Sequence, residues 1–206
     1  CGAWRERAMS DAPHRYGPFA AVWMRGGEPH AGHLAFLALY DAEREIAVLR
    51  DTLASTRPED AERHLRVMLG DANWRPNLVA AAAVCLLTRD GRYADALRAR
   101  FEAGSWVSPQ LAAALAIHDP AFVPWAASAA RALLDVEPVP IRDDGKRLGA
   151  LLGALGAVDG AALDHLRAHP RFAAHAAVDL HGGNGIAAGW LARARALRLI
   201  DGSNEP

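Results

Sequence analysis

Trp74-Arg75-Pro76-Asn77-Leu78 runs directly into Val79-Ala80-Ala81-Ala82-Ala83-Val84. Further on, Trp106-Val107-Ser108-Pro109-Gln110-Leu111 runs into Ala112-Ala113-Ala114-Leu115. Both stretches read tryptophan, proline, amide, leucine, then small residues. Leu78 and Leu111 lie 33 positions apart. A weaker third copy is Pro170-Arg171-Phe172 leading into Ala173-Ala174-His175-Ala176-Ala177-Val178. More amphipathic stretches precede the three copies, near 58–69, 92–103 and 160–168. A period of about 30 to 40 residues holding two helices marks stacked helical hairpins. In such a pair one helix is amphipathic, as in Tyr93, Leu97 and Phe101, and its partner is apolar nearly all round because neighbours cover it. Alanine lets these inner helices approach closely, and a proline in the first turn sacrifices no hydrogen bond.

The composition agrees. The chain has 206 residues, 51% hydrophobic and 23% charged, with a formal net charge of -1. That size buries about 70% of the unfolded surface without disulfides or metal. Ala, Leu and Arg, the strong helix formers, dominate. Lys146 is the only lysine among 23 basic residues. This bias also suits a GC-rich bacterial genome. No β-branched alternation extends over a strand's length. The expected fold is therefore all-α, a short α-solenoid of antiparallel helix pairs, with a compact helical bundle as the alternative.

Around the repeats, residues 1–30 hold several Pro and Gly and read as an irregular arm with one short helix over Phe19 to Met24. Met9-Ser10-Asp11 resembles a natural start, so 1–8 read as an extension or scar. Residues 31–206 read as one helical-repeat domain. Leu39, Ala42, Ile46, Leu49 and Leu53 form one stripe of a helix expected over 31–54. Thr56 and Glu59 with Pro58 predict a capping box, and Gly70 a left-handed helix end. Val136-Glu137-Pro138-Val139-Pro140 should be extended. Leu148, Leu151, Leu152 and Leu155 form another stripe, with Gly149, Gly153 and Gly156 open to close packing. The last helix, about 184–199, should face Ile186, Trp190, Ala194 and Leu197 inward, with Arg193, Arg195 and Arg198 near its end, and cap the array.

The stretch LAAALAIHDPAFVPWAASAARALL, residues 111–134, resembles a HEAT repeat, with its Asp119-Pro120 turn, Val123 and spaced alanines. Residues 64–87, HLRVMLGDANWRPNLVAAAAVCLL, look similar around Asp71. The resemblance spans roughly 60–190. The two matches fall in different phasings, one with its Asp after an apolar helix and one with its Asp before it.

Few residues group into chemistry. Gly183-Asn184-Gly185-Ile186-Ala187-Ala188 fits a loose dinucleotide pattern, but that pattern needs a preceding strand, so a turn and helix start is expected. Gly145-Lys146 lacks the rest of a phosphate-binding loop. His165, His169, His175 and His181, with Asp164 and Asp179, straddle Pro170 and are expected to face solvent rather than a metal; His30 and His33 beside Glu28 are a weaker group still. The iron-holding HEAT-like hydroxylases use His-Glu pairs, and no such dipeptide occurs. No nucleophile elbow is present. Cys85, inside an apolar run, reads as a buried inert thiol. Two distant cysteines make no disulfide framework. No metal or cofactor is expected.

The remaining group is Trp74, Arg75, Trp106, His118, Asp119 and Trp125, all at inter-helix turns or first helical turns. In a solenoid these positions stack along one edge, and exposed Trp and Arg make binding hot spots. The opposing expectation is that the tryptophans cap the core between repeats. The function expected is a non-catalytic module that binds another protein, as scaffold, adaptor or toxin-neutralising partner. Alternatives are a HEAT-like DNA glycosylase, for which the near-neutral charge is unfavourable, and a small-molecule sensor with a Trp-lined pocket. No apolar run is long enough for a transmembrane helix, and no secretory signal is evident, so no membrane contact and a cytoplasmic setting are expected.

Overall fold

The computed structural model describes residues 15–136, 143–178, 182–197 and 199. The expectations for 1–8, most of the Val136–Pro140 break, Asp179, His181 and Arg198 lie outside these. The protein is all-α, and 73% of the described residues are helical. Its only described strands are β1 (Met24–Arg25) and β2 (Glu28–Pro29), an antiparallel pair two residues long with Met24 opposite Pro29.

The first described elements are two 3-10 helices, η1 (Gly17–Trp23) and η2 (Gly32–Leu37), with the short strands between them. Ten α-helices follow among the described residues. They are α1 (Glu43–Ser55), α2 (Pro58–Gly70), α3 (Trp74–Val84), α4 (Ala94–Glu102) and α5 (Ser108–His118). Then come α6 (Phe122–Leu134), α7 (Asp143–Val158), α8 (Gly160–Arg167), α9 (Phe172–Val178) and α10 (Gly183–Ala196).

The hairpins α2/α3, α4/α5 and α6/α7 stand side by side. Their second helices, α3, α5 and α7, form an inner row in which α5 touches both neighbours. Every residue of α3 from Pro76 to Val84 is buried, and so are Ser108 to Leu115 of α5. Such helices bury alanine on all sides only if both faces are covered. Here α1 and η2 lie against α3, while α10 lies against α5 and α7. The inner row is therefore the middle of three layers, and its residues reach solvent chiefly at the helix ends.

The amide of the repeat has a structural role. Asn77 is fully buried and donates to the carbonyls of Met68 and Asp71, at 2.8 and 3.0 Å, while its oxygen accepts from Ser105 Oγ. Gln110, 33 positions later, donates to the Leu37 carbonyl at 2.7 Å. Both amides satisfy backbone groups at helix ends that would otherwise be stranded. The third copy departs from this. Arg171 stands at the amide position and turns outward to the Asp135 carbonyl. α9 is then a short surface helix with Ala173, Ala174, Ala176 and Ala177 exposed. The third inner helix is α7 instead, with Leu148, Leu151, Leu152 and Leu155 buried as expected.

Four other expectations are revised. The helix expected over 31–54 is η2, then a break, then α1. Leu39 and Asp41 have φ of 57° and 48° at the break, which ends the helical run although the stripe from Leu39 to Leu49 stays buried. Helix α2 begins and ends where expected, but without the capping box. Thr56 Oγ1 donates back to the Thr52 carbonyl at 2.6 Å, Arg57 is the N-cap, and Gly70 keeps a negative φ. The described part of the supposed arm joins the core: Tyr16, Phe19, Val22 and Trp23 are buried in it.

Helix α10 is no end cap. Trp190 Nε1 donates to the Phe36 carbonyl at 2.9 Å, across 154 residues of chain. Trp190 and Ala194 are buried as expected, with Ala187 and Leu191, whereas Ile186 is 38% exposed. Close approach to α7 dictates this rotation. A Cβ on Gly153 would lie 2.2 Å from the Asn184 carbonyl oxygen, and one on Gly183 would lie 2.8 Å from that of Lys146.

Candidate functional site

The N-terminal ends of α3 and α5 lie together, so the tryptophans of the two repeats meet. Their ring centroids are 4.8 Å apart, tilted by 51°. The Arg75 guanidinium sits 4.7 Å from the Trp74 ring and the Lys146 ammonium 4.6 Å from the Trp106 ring. Lys146 also donates to the Trp106 carbonyl. Trp106 remains 55% exposed. The tilted Trp74 ring and the Lys146 ammonium hold it without burying it.

Behind Trp74 the row continues inward. His33 lies 5.8 Å from Trp74, Trp23 lies 6.1 Å from His33, and Tyr16 lies 5.5 Å from Trp23. Tyr16 donates its hydroxyl to Asp71 at 2.7 Å, and Arg15 reaches the same oxygen. Burial, with that bond, pushes the phenol far above its ordinary value. Neither His33 nitrogen has a hydrogen-bond partner. Burial first, then the nearby Arg75 charge, pulls its pKa down to about 4, so it is neutral at pH 7.

The other end of α5 is different. His118, Asp119 and Trp125 are brought together there, but at the far end of an 11-residue helix, about 16 Å from the first group. His118 is buried against Tyr93, and its Nε2 faces the Tyr93 amide at 3.4 Å. Desolvation lowers its pKa in spite of Asp90, 3.7 Å away. Asp119 is bound on both oxygens. Arg98 Nε donates to one at 2.9 Å, and the Ala121 amide donates to the other at 2.9 Å. Arg98 also lies 5.3 Å from the Trp125 ring, which packs on Phe101 and Phe122. This end is a closed structural joint.

The six residues singled out from sequence thus form two groups. Trp74, Arg75 and Trp106 make an open one, and Trp125 fits the core-capping expectation instead. Asp71 accounts for the two phasings. Its Oδ1 accepts from the Asn73 amide at 2.9 Å, just as Asp119 accepts from Ala121, and an arginine binds each carboxylate. The same turn device closes α2 to α3 and α5 to α6.

Sequence reasoning missed His33, Trp23, Lys146 and Tyr40 at the open end. They come from distant segments, and only the uniqueness of Lys146 among the basic residues was a signal. Two of the late histidines find separate partners. His169 contacts Asp135 at 3.2 Å and His175 the Val136 carbonyl at 2.9 Å. No group of three or more His, Cys, Asp or Glu side chains could hold a metal ion among the described residues. Cys85 is buried, with its thiol pushed up to about 12. No described helix is long and apolar enough to cross a membrane. No family model, curated protein or solved structure matches the chain.

Proposed function

We propose that the protein is a non-catalytic binding module that holds another protein on the open end of the inner row, with Trp106 as anchor. The observation that carries this is a half-exposed indole already fixed by Trp74 on one side and a cation on the other. Tryptophan and arginine are enriched among residues that dominate binding energy, and a pre-ordered side chain loses little entropy on docking. Arg75 and Lys146 surround the anchor with positive charge, so the partner surface is acidic with an apolar contact at its centre. The HEAT-like reading belongs to the same proposal. Three hairpins packed in a row support it, and such arrays present surface rather than a reaction centre. The glycosylase alternative gains nothing, because Asp119 is bound by Arg98 and lies at the opposite end of α5 from Trp106.

Affinity capture from the native host, read by mass spectrometry, tests the reading. The partner should be held by the parent and by Arg44→Ala, released by salt, and lost from Trp106→Ala. A partner held equally by Trp106→Ala and by the parent would refute the site.

A further inference from the structure

Beside Trp106 lies a cleft of about 540 Å³, bounded by the turn after η2, the starts of α5 and α7, and the first turn of α10. That volume falls within the roughly 300–1,000 Å³ of small-ligand sites. Its walls include three exposed apolar side chains, Trp106, Tyr40 at 64% and Ile186. Solvated apolar surface collected in a concavity is the usual floor of a ligand site.

Two cations line this cleft, Lys146 and Arg193, and no Asp or Glu does so among the described residues. Each cation lies on a ring of the same cleft, Lys146 on Trp106 and Arg193 on Tyr40, the latter at 3.9 Å. Arg193 also donates to the Ala38 carbonyl at 3.2 Å and to the Tyr40 hydroxyl. Both charges are therefore held in place over apolar walls. The positive end of the 14-residue helix α10 adds to them, since Gly182 and Gly185 line the same space. A Cβ at Gly185 would meet nothing within 4 Å. Packing does not demand glycine there, and its absence of a side chain leaves the backbone open to the cleft.

We propose that this cleft binds a small organic acid, a single carboxylate carried on an aromatic or branched apolar body. The apolar body lies against Trp106 and Ile186, and the carboxylate meets Lys146, Arg193 and the start of α10. Two cations that already donate to the protein match one carboxylate better than a doubly charged phosphate. The site shares Trp106 with the docking surface but does not depend on it, since the acid can bind whether or not a partner is ever captured.

The test uses the full chain, labelled with 15N, titrated with 3-phenylpropionate, its neutral amide and phenethylamine. The Trp106 indole resonance, assigned with Trp106→Phe, reports occupancy. The acid should shift it saturably, with the amide at least about tenfold weaker and the amine weaker still, as loss of a charged hydrogen bond implies. Lys146→Gln and Arg193→Gln should each weaken the acid by about tenfold, with the amide unchanged. Lys146 lies at the surface, so that variant serves if Arg193→Gln loses its fold. Equal binding of acid and amide, or acid binding unchanged in Lys146→Gln, would overturn the proposal. So would binding of an acetylated and amidated Glu-Leu repeat peptide with none of 3-phenylpropionate; that result would assign the cleft to protein docking.

Discussion

The two ends of α5 carry the same parts in different states. At each end a cation lies over an indole, Lys146 on Trp106 at 4.6 Å and Arg98 on Trp125 at 5.3 Å. At the Trp125 end a carboxylate completes the set. Asp119 is only 2% exposed in its side chain, Arg98 is 24% exposed, and the two are joined. At the Trp106 end the neighbouring Arg75 meets the Trp74 ring and no carboxylate among the described residues. A cation–indole pair is thus no indicator of function in itself. Where an internal acid engages the cation, the pair is a joint. At the other end the ring itself stays half exposed, although a cation lies over it.

Both ends hang on one inner row, whose leucines should show the largest effect. Leu78 and Leu111 are both fully buried. Leu78→Ala and Leu111→Ala should each cost about 2–5 kcal/mol, through lost transfer energy and the cavity left behind. Denaturant melts check this, with Arg44→Ala on exposed surface as control, expected within about 0.5 kcal/mol. If only one leucine matters, α3 and α5 do not form one row.

Next comes the closed end. Asp119→Ala removes the partner of Arg98 and the acceptor for the Ala121 amide together. Breaking a largely buried pair while losing a helix-start acceptor should cost about 3 kcal/mol. If the closed end is a joint, removing Arg98 as well should restore part of that loss, because no uncompensated charge then remains. A melt of Asp119→Ala that matches the parent would erase the distinction between the ends.

Much of this was legible in sequence. Two inner helices, α3 and α5, show as alanine runs, and the repeat predicts the Asn77–Gln110 correspondence at 33 residues and the Trp74–Trp106 one at 32. Periodicity predicted the buried leucines of α7. What was not legible depends on contacts across long stretches of chain. Trp190 reaching Phe36 turns an expected end cap into a covering layer, and no local pattern encodes that. Exposure was equally hidden. Trp106 and Trp125 each stand near the start of a helix, and only the packing of Phe101 and Phe122 against Trp125 separates them. The third copy differs in place as well as in sequence: Arg171 stands at the amide position and reaches the Asp135 carbonyl, and α9 lies at the surface.

The aromatic row behind Trp74 adds a pH dependence. His33 has a folded pKa of about 4 against an ordinary 6.5. Between those values the unfolded chain binds a proton that the folded chain refuses. Stability is therefore lost as pH falls from about 6.5 toward 4, by up to about 3 kcal/mol. His118, lowered by desolvation, acts in the same direction. Melts across this range should show a decline that is shallower in His33→Gln. An equally steep decline in that variant would mean that His33 is solvated and the row is not closed.

Of the variants at the inner row and its two ends, Trp106→Ala should change stability least, although Trp106 is the anchor of the docking surface. Trp106→Ala removes an edge contact with Trp74 and the ring beneath Lys146. An aromatic pair is worth about 0.5–1.5 kcal/mol and an exposed cation–ring contact about 0.5–1 kcal/mol. Against that, an exposed indole is released from contact with water. The net cost should be about 1 kcal/mol in a denaturant melt, a third of that for Asp119→Ala. A loss near that of Leu111→Ala would place Trp106 in the core despite its exposure, and the open end would then be a second joint rather than a surface for a partner.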